Sequence, residues 1–126
     1  MRIGLLGFGT VGRGVYEIIA PREDMTVVRV LCRRELSLPD AAVTHNFDDI
    51  LQDPTIDTVV EAIGGLHPAY EYVRAAILAG KNVATANKAL IASIRRPVEA
   101  RRRLVSCSLP FPVLMPCLRS PRGRVC

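Results

Sequence analysis

Apolar and polar positions along this chain switch repeatedly between a two-residue and a 3.6-residue period, which predicts strands alternating with helices. Residues 2–7, Arg-Ile-Gly-Leu-Leu-Gly, read as a short buried strand. Over residues 10–20, Val11, Val15, Ile18 and Ile19 recur at helical spacing and are expected to form the inner face, with Pro21 as the stop. Residues 26–32, rich in β-branched side chains, predict a second strand. A short helix is expected over 47–52, with Phe47, Ile50 and Leu51 as its apolar face, Asn46 as its N-cap and Pro54 beyond its end. Residues 57–63 predict a strand closed by Gly64-Gly65. Pro68 then opens a helix whose inner face is Val73, Ala76 and Ile77 and whose C-terminal stop is Gly80. Residues 82–86 predict the next strand.

This β-α-β order implies an α/β fold, a Rossmann-like parallel sheet with flanking helices. At 126 residues the chain falls short of the roughly 150 that two complete mononucleotide halves need, so the sheet is expected to be incomplete. The alternating pattern stops near residue 92. Residues 1–92 are therefore assigned to a partial nucleotide-binding domain. Residues 93–126 form a tail, expected to be irregular or disordered and not part of the native fold.

Charge sharpens that division. Residues 1–92 hold nine Lys/Arg and eleven Asp/Glu, whereas residues 93–126 hold eight Arg, a single Glu and no Lys or Asp. The overall +5 thus comes from the tail alone. Five of the nine prolines and three of the four cysteines also lie there. This composition reads as a GC-rich gene translated out of frame, or else as a real basic tail that recruits a partner. Nucleic-acid binding is disfavoured, because only Phe111 supplies an aromatic platform and the prolines oppose a groove-binding helix. Cys32 reads as a core residue, and Cys107, Cys117 and Cys126 match no metal-site spacing, so no metal is expected. No apolar run reaches the roughly 18 residues of a membrane span, and a cytoplasmic location is expected.

The chemistry is concentrated at strand ends. Gly7-Phe8-Gly9-Thr10-Val11-Gly12 is a G-x-G-x-x-G directly after a strand and opening a helix. Gly7 permits the tight turn, Gly9 lets backbone approach a pyrophosphate, and Gly12 lets the helix pack against the sheet. The helix N-terminus supplies free N–H groups and the positive dipole end. NAD-binding folds commonly place Asp or Glu at the end of the second strand. Here the residues are Cys32-Arg33-Arg34-Glu35, and an arginine there can pair with the additional phosphate of NADP. NADP is therefore favoured, with NAD possible. Gly64 and Gly65 either let a cofactor lie close to backbone or simply form a tight turn into the Pro68 helix. Glu61, inside the strand they close, reads as a structural, hydrogen-bonded or edge residue rather than a catalyst. In Thr85-Ala86-Asn87-Lys88, Lys88 follows a strand and faces the crevice, where it is either a surface charge or a group that hydrogen-bonds substrate or cofactor. His45 and His67 receive no role.

Together the segments Ile3–Gly12, Val59–Gly65 and Ala79–Leu90 resemble homoserine dehydrogenase, and Ala-Asn-Lys-Ala-Leu at 86–90 is the most specific of them. The resemblance covers roughly residues 2–92. It implies reversible hydride transfer between NAD(P) and the homoserine/aspartate 4-semialdehyde couple, in threonine and methionine biosynthesis. It implies that Phe8, Gly9, Thr10 and Val11 hold the pyrophosphate, that Arg33 lies near the adenosine phosphate, and that Lys88, as the candidate catalytic residue, lies beside nicotinamide and substrate. It also implies a further domain that binds the small-molecule substrate and mediates oligomerisation. No pattern of that domain is visible, so this polypeptide alone is expected to be inactive. The alternative is a stand-alone NADP-binding or redox-sensing module with a basic tail.

Overall fold

The computed structural model describes residues 1–94 and, as backbone, residues 104–106. The expectations for 95–103 and 107–126 lie outside the described residues. The elements run β1 (Arg2–Leu6), α1 (Thr10–Ile19), β2 (Thr26–Leu31), β3 (Ala42–Thr44), α2 (Asp48–Leu51), β4 (Thr58–Glu61), α3 (Ala69–Leu78), β5 (Asn82–Thr85), α4 (Lys88–Ile94) and β6 (Leu104–Ser106). The sheet order is β3-β2-β1-β4-β5-β6, and every neighbouring pair is parallel. That order reverses direction between β1 and β4, which creates a crevice at the carboxyl ends of the strands.

The pleat of β1 divides the core in two. Ile3 and Leu5 face α1 and pack with Phe8, Val15, Ile19, Val27, Val30 and Cys32. Leu6 faces the other way, into a layer built from Phe47, Ile50, Val59, Val73, Ile77 and Leu90 of β4 and the helices α2, α3 and α4. Gly4 shares that second face because α2 presses on it: a Cβ there would lie 2.6 Å from Ile50 Cγ2. On β2 the two inward residues Val27 and Val30 are three apart instead of two. The reason is a bulge, since Ile3 pairs with Val27 but Gly4 pairs with Arg29, which leaves Val28 over.

The expected inner face of α1 needs correction. Val15 and Ile19 are buried, but Val11 is 47% exposed and Ile18 is 46% exposed. The buried stripe is Gly12, Val15 and Ile19. Its position is set by Gly12, the point where the helix lies hardest against the strand end, and this rotates Val11 and Ile18 toward the rim of the contact. The strand β3 was not expected. It is three residues long and follows an irregular loop, so it shows too little periodicity to register. Pro68 immediately precedes α3 instead of occupying its first turn. Leu104–Ser106, within the segment expected to be irregular, pairs in parallel with β5. Its Leu-Val-Ser sequence offers a short β-compatible run between arginines and the cysteine that follows. The boundary expected at residue 92 lies inside α4.

The cap position of α2 is Phe47, one residue after the expected Asn46, and it makes no side-chain cap bond; Asn46 Oδ1 nevertheless accepts the Asp48 amide at 3.1 Å. The end of α3 matches expectation. Gly80, at φ +85°, ends α3, with its amide bonded to Ile77 O and the Lys81 amide to Ala76 O, the paired bonds of a Schellman turn. The buried Lys81 then donates from Nζ to the carbonyls of Asp53 (2.8 Å) and Ile56 (2.7 Å), which fastens the loop before β4 to the start of β5.

That loop also carries an acid-sensitive group. The hydroxyl and then the amide of Thr55, with a further contribution from Arg29, hold the Asp53 carboxyl at about 2, below its ordinary 3.8. The folded state therefore keeps this carboxylate charged where the unfolded chain takes up a proton. Its contribution is complete above about 3.8 and disappears as pH falls toward about 2. Asp53→Asn is expected to flatten the loss of stability over that window while the wild type falls more steeply. Chemical denaturation repeated between pH 5 and 2 checks this, and parallel curves for the two proteins would contradict it.

Candidate functional site

The turn between β1 and α1 is shaped by its glycines, each for a different reason. Gly7 sits at φ +94°, and a Cβ there would also meet Ala62 O at 2.9 Å. Gly12 is closed sterically, because a Cβ would lie 2.2 Å from Gly7 O. Gly9 is different. It caps α1 at φ −82°, an ordinary value for any residue, and a Cβ would meet nothing within 4 Å. Neither the backbone nor the neighbours of Gly9 demand a glycine. What the missing side chain leaves is space for something outside the chain.

That space belongs to a cleft of about 620 Å³, within the range of small-molecule sites. Gly7, Phe8 and Gly9 form one wall, Cys32, Arg33, Arg34 and His45 the second, and Ala62, Ile63, Gly64, His67, Pro68 and Tyr72 the third. Most of these residues follow the carboxyl ends of β1, β2, β3 and β4, while His67, Pro68 and Tyr72 come from the start of α3 and the turn before it. A second cavity of about 710 Å³ adjoins it beside Thr10, Arg13, Gly14 and Glu17 of α1, and Phe8, Gly9 and Arg34 line both. The first turn of α1 carries no acidic residue and no side-chain cap, so no acidic side chain of that turn competes with an anion at its amino end.

Of the residues singled out from sequence, Gly7, Phe8, Gly9, Arg33 and Gly64 come together around the first cleft, and Thr10 lines the second. Phe8 contributes backbone, because its ring is buried edge-on against Tyr16, with centroids 5.7 Å apart. Val11 and Gly12 line neither cavity. Gly64 and Gly65 hold φ +80° and +70° with open space where their side chains would be. Lys88 is exposed at the first position of α4 and does not line either cavity. It follows the end of β5 by three residues.

Several site residues were not assigned from sequence. Arg34 reaches over the glycine turn and donates from Nη2 to Phe8 O at 3.0 Å. His45 follows β3, and its Nδ1 lies 2.5 Å from Cys32 O, so that nitrogen carries the proton and donates. Its Nε2 faces Glu35 at 3.4 Å. His67 donates from Nδ1 to Glu71 at 2.6 Å. The Glu71 carboxyl is held below the usual carboxylate range by its own backbone amide and then by His67. Placing β3 would have found His45, since the carboxyl ends of parallel strands line the crevice. Nothing local in the sequence marks the Arg34 contact.

Among the described residues no group of three or more His, Cys, Asp or Glu gathers as a metal site would require, and no helix is long and apolar enough to cross a membrane.

Residues 7–105 match the family described as the NAD-binding domain of homoserine dehydrogenase, which carries the match past residue 92. The homoserine dehydrogenase of Bacillus subtilis is 34% identical over 88% of this chain and 29% of its own length. That of Methylobacillus glycogenes is 37% identical over 97% of this chain and 34% of its own. The crystal structure of a homoserine dehydrogenase from Thiobacillus denitrificans superimposes with a TM-score of 0.74 at 35% identity, covering 84% of this chain and 29% of that one. The chain thus spans about a third of the length of these relatives.

Proposed function

The chain belongs to the homoserine dehydrogenase family, and from that premise we propose that its NAD-binding domain holds NADP(H), with NAD(H) as second choice, across the carboxyl ends of β2, β1, β4 and β5. The observation that carries this reading is Gly9, a glycine that the fold itself does not need, at the amino end of a helix and on the wall of a cleft of cofactor size.

In this reading the amides of the glycine turn and the first turn of α1, at Phe8, Gly9, Thr10 and Val11, bind the pyrophosphate. Gly7 and Gly12 hold that turn in shape. Arg33 pairs with the adenosine phosphate that distinguishes NADP from NAD, a reading supported by its position just after β2, beside β1 in the sheet. The nicotinamide half then lies over β4 and β5, where Gly64 allows close approach and the Lys88 ammonium can hydrogen-bond substrate oxygen or cofactor. When bound, the nicotinamide supplies hydride transfer. The proposed activity to which this domain contributes is the interconversion of homoserine and aspartate 4-semialdehyde. These 126 residues supply the cofactor end of that reaction and are expected not to turn over homoserine by themselves.

Calorimetric titration of the chain with NADPH and NADH tests the reading. Saturable binding with NADPH the tighter ligand is expected, and no uptake of either at millimolar concentration would refute it. Arg33→Ala should weaken NADPH about tenfold, the loss of one charge-assisted phosphate contact, while leaving NADH unchanged. A selective loss in Arg34→Ala instead would move the phosphate contact to Arg34.

A further inference from the structure

A chain of hydrogen bonds runs along the β4–β5 side of the crevice. Glu61 ends β4 and is 5% exposed. Its Oε1 accepts the amides of Ile63 (2.8 Å) and Gly64 (3.1 Å), so the carboxylate shapes the loop that carries Gly64 and Gly65. Its Oε2 accepts the Thr85 hydroxyl at 2.6 Å. Thr85 ends β5, and its Oγ1 in turn accepts the Asn87 amide at 3.0 Å. Asn87 closes the circuit: its Nδ2 donates to Gly65 O, and its Oδ1 accepts the Leu90 amide at 3.2 Å and so caps α4.

Every bond in this circuit falls within residues 61–65 and 85–90. None touches the glycine turn or the end of β2. A carboxylate with three donors, buried under a loop with two left-handed glycines, fixes the loops that follow β4 and β5 relative to each other, and it sets where Lys88 begins α4. We propose that the Glu61–Thr85–Asn87 circuit is a positioning device for the nicotinamide half of the cofactor, acting through the Gly64-Gly65 loop and the start of α4 while leaving the adenosine half alone. The inference rests on the nucleotide reading above.

The test uses the whole chain and two ligands, NADPH and 2′-phospho-ADP-ribose, which lacks the nicotinamide ring. Thr85→Val removes the hydroxyl that both donates to Glu61 and accepts from Asn87, at nearly constant volume. It is expected to weaken NADPH about tenfold and leave 2′-phospho-ADP-ribose within about twofold, because one buried bridging hydroxyl is lost. Thr85→Ser, which keeps the hydroxyl, should restore NADPH binding. Asn87→Ala, at a partly exposed position, should show the same selectivity and guards against Thr85→Val failing to fold. Equal weakening of both ligands by Asn87→Ala and Thr85→Val would reduce the circuit to a general structural brace and overturn the proposal, as would no effect on either. If the unaltered chain bound both ligands equally tightly, the nucleotide reading would stand and this inference would fall. If it bound neither, both would fall.

Discussion

Gly9→Ala is expected to lower NADPH affinity about a hundredfold while leaving the fold essentially intact. The structural half of that expectation follows from empty space. A Cβ at Gly9 meets nothing within 4 Å and the residue sits at φ −82°, so alanine introduces no clash and no backbone strain. The only cost is a poorer N-cap for α1, about 0.5 kcal/mol, which for a domain of this size moves Tm by about 3 °C. The binding half follows from what the space is for. A methyl group at the amino end of α1 pushes an anion away from the amides of the first turn. Each charge-assisted bond lost there costs about 1.5–3 kcal/mol, and a hundredfold corresponds to roughly 2.7 kcal/mol. Melting curves and NADPH titration on the same sample check both halves. Unchanged affinity in Gly9→Ala would remove the main support for a pyrophosphate at this turn.

Gly12→Ala should do the reverse and act first on stability. Its Cβ would fall 2.2 Å from Gly7 O and 2.9 Å from Gly7 C. Both are backbone atoms of a residue held at φ +94° and itself backed against Ala62 O, so neither can yield cheaply. Overpacking of this kind costs about 3 kcal/mol. The better helix propensity of alanine returns about 1 kcal/mol. The net loss of about 2 kcal/mol is a large share of the 5–15 kcal/mol that stabilises a typical domain, and it should lower Tm by about 10 °C. Urea denaturation measures it. A Gly12→Ala protein as stable as the parent would mean that α1 can lift from the sheet without penalty.

These two glycines, three positions apart in one motif, are indistinguishable in the sequence. The motif told that all three positions matter, but not which serves the chain and which serves a ligand, because the distinction depends on atoms of Gly7 and Ala62 that only the folded turn brings near. The same limit explains the other differences. The period-3.6 pattern of α1 was plain, yet Val11 and Ile18 are as apolar as Val15 and Ile19. The close approach at Gly12, and not hydrophobicity, decides which pair is buried. The bulge at Val28 is invisible in a run where every second and every third residue is apolar. The side-chain bond of Asn46 before α2 and the stop at Gly80 are legible because both depend on chemistry within a few residues. The Arg34 contact with Phe8 and the Glu61 contact with Thr85 join residues more than twenty positions apart, and nothing local announces them. Glu61 is readable from sequence only as a structural, hydrogen-bonded or edge residue, without its burial or its partners.

Lys81 and Thr85 stand just before and at the end of β5, and each ties that strand to the β4 side of the sheet through a side chain. The carbonyls of Asp53 and Ile56 hold one end and the carboxylate of Glu61 the other. A ladder of backbone bonds alone would tolerate sliding by two residues, since the same faces would still point inward. With polar anchors at both ends, such a slip would strand an ammonium and a carboxylate in the interior at once. The pairing of β4 with β5 is therefore set by two bolts whose spacing matches only one alignment, and β6 joins a strand that is already locked in place.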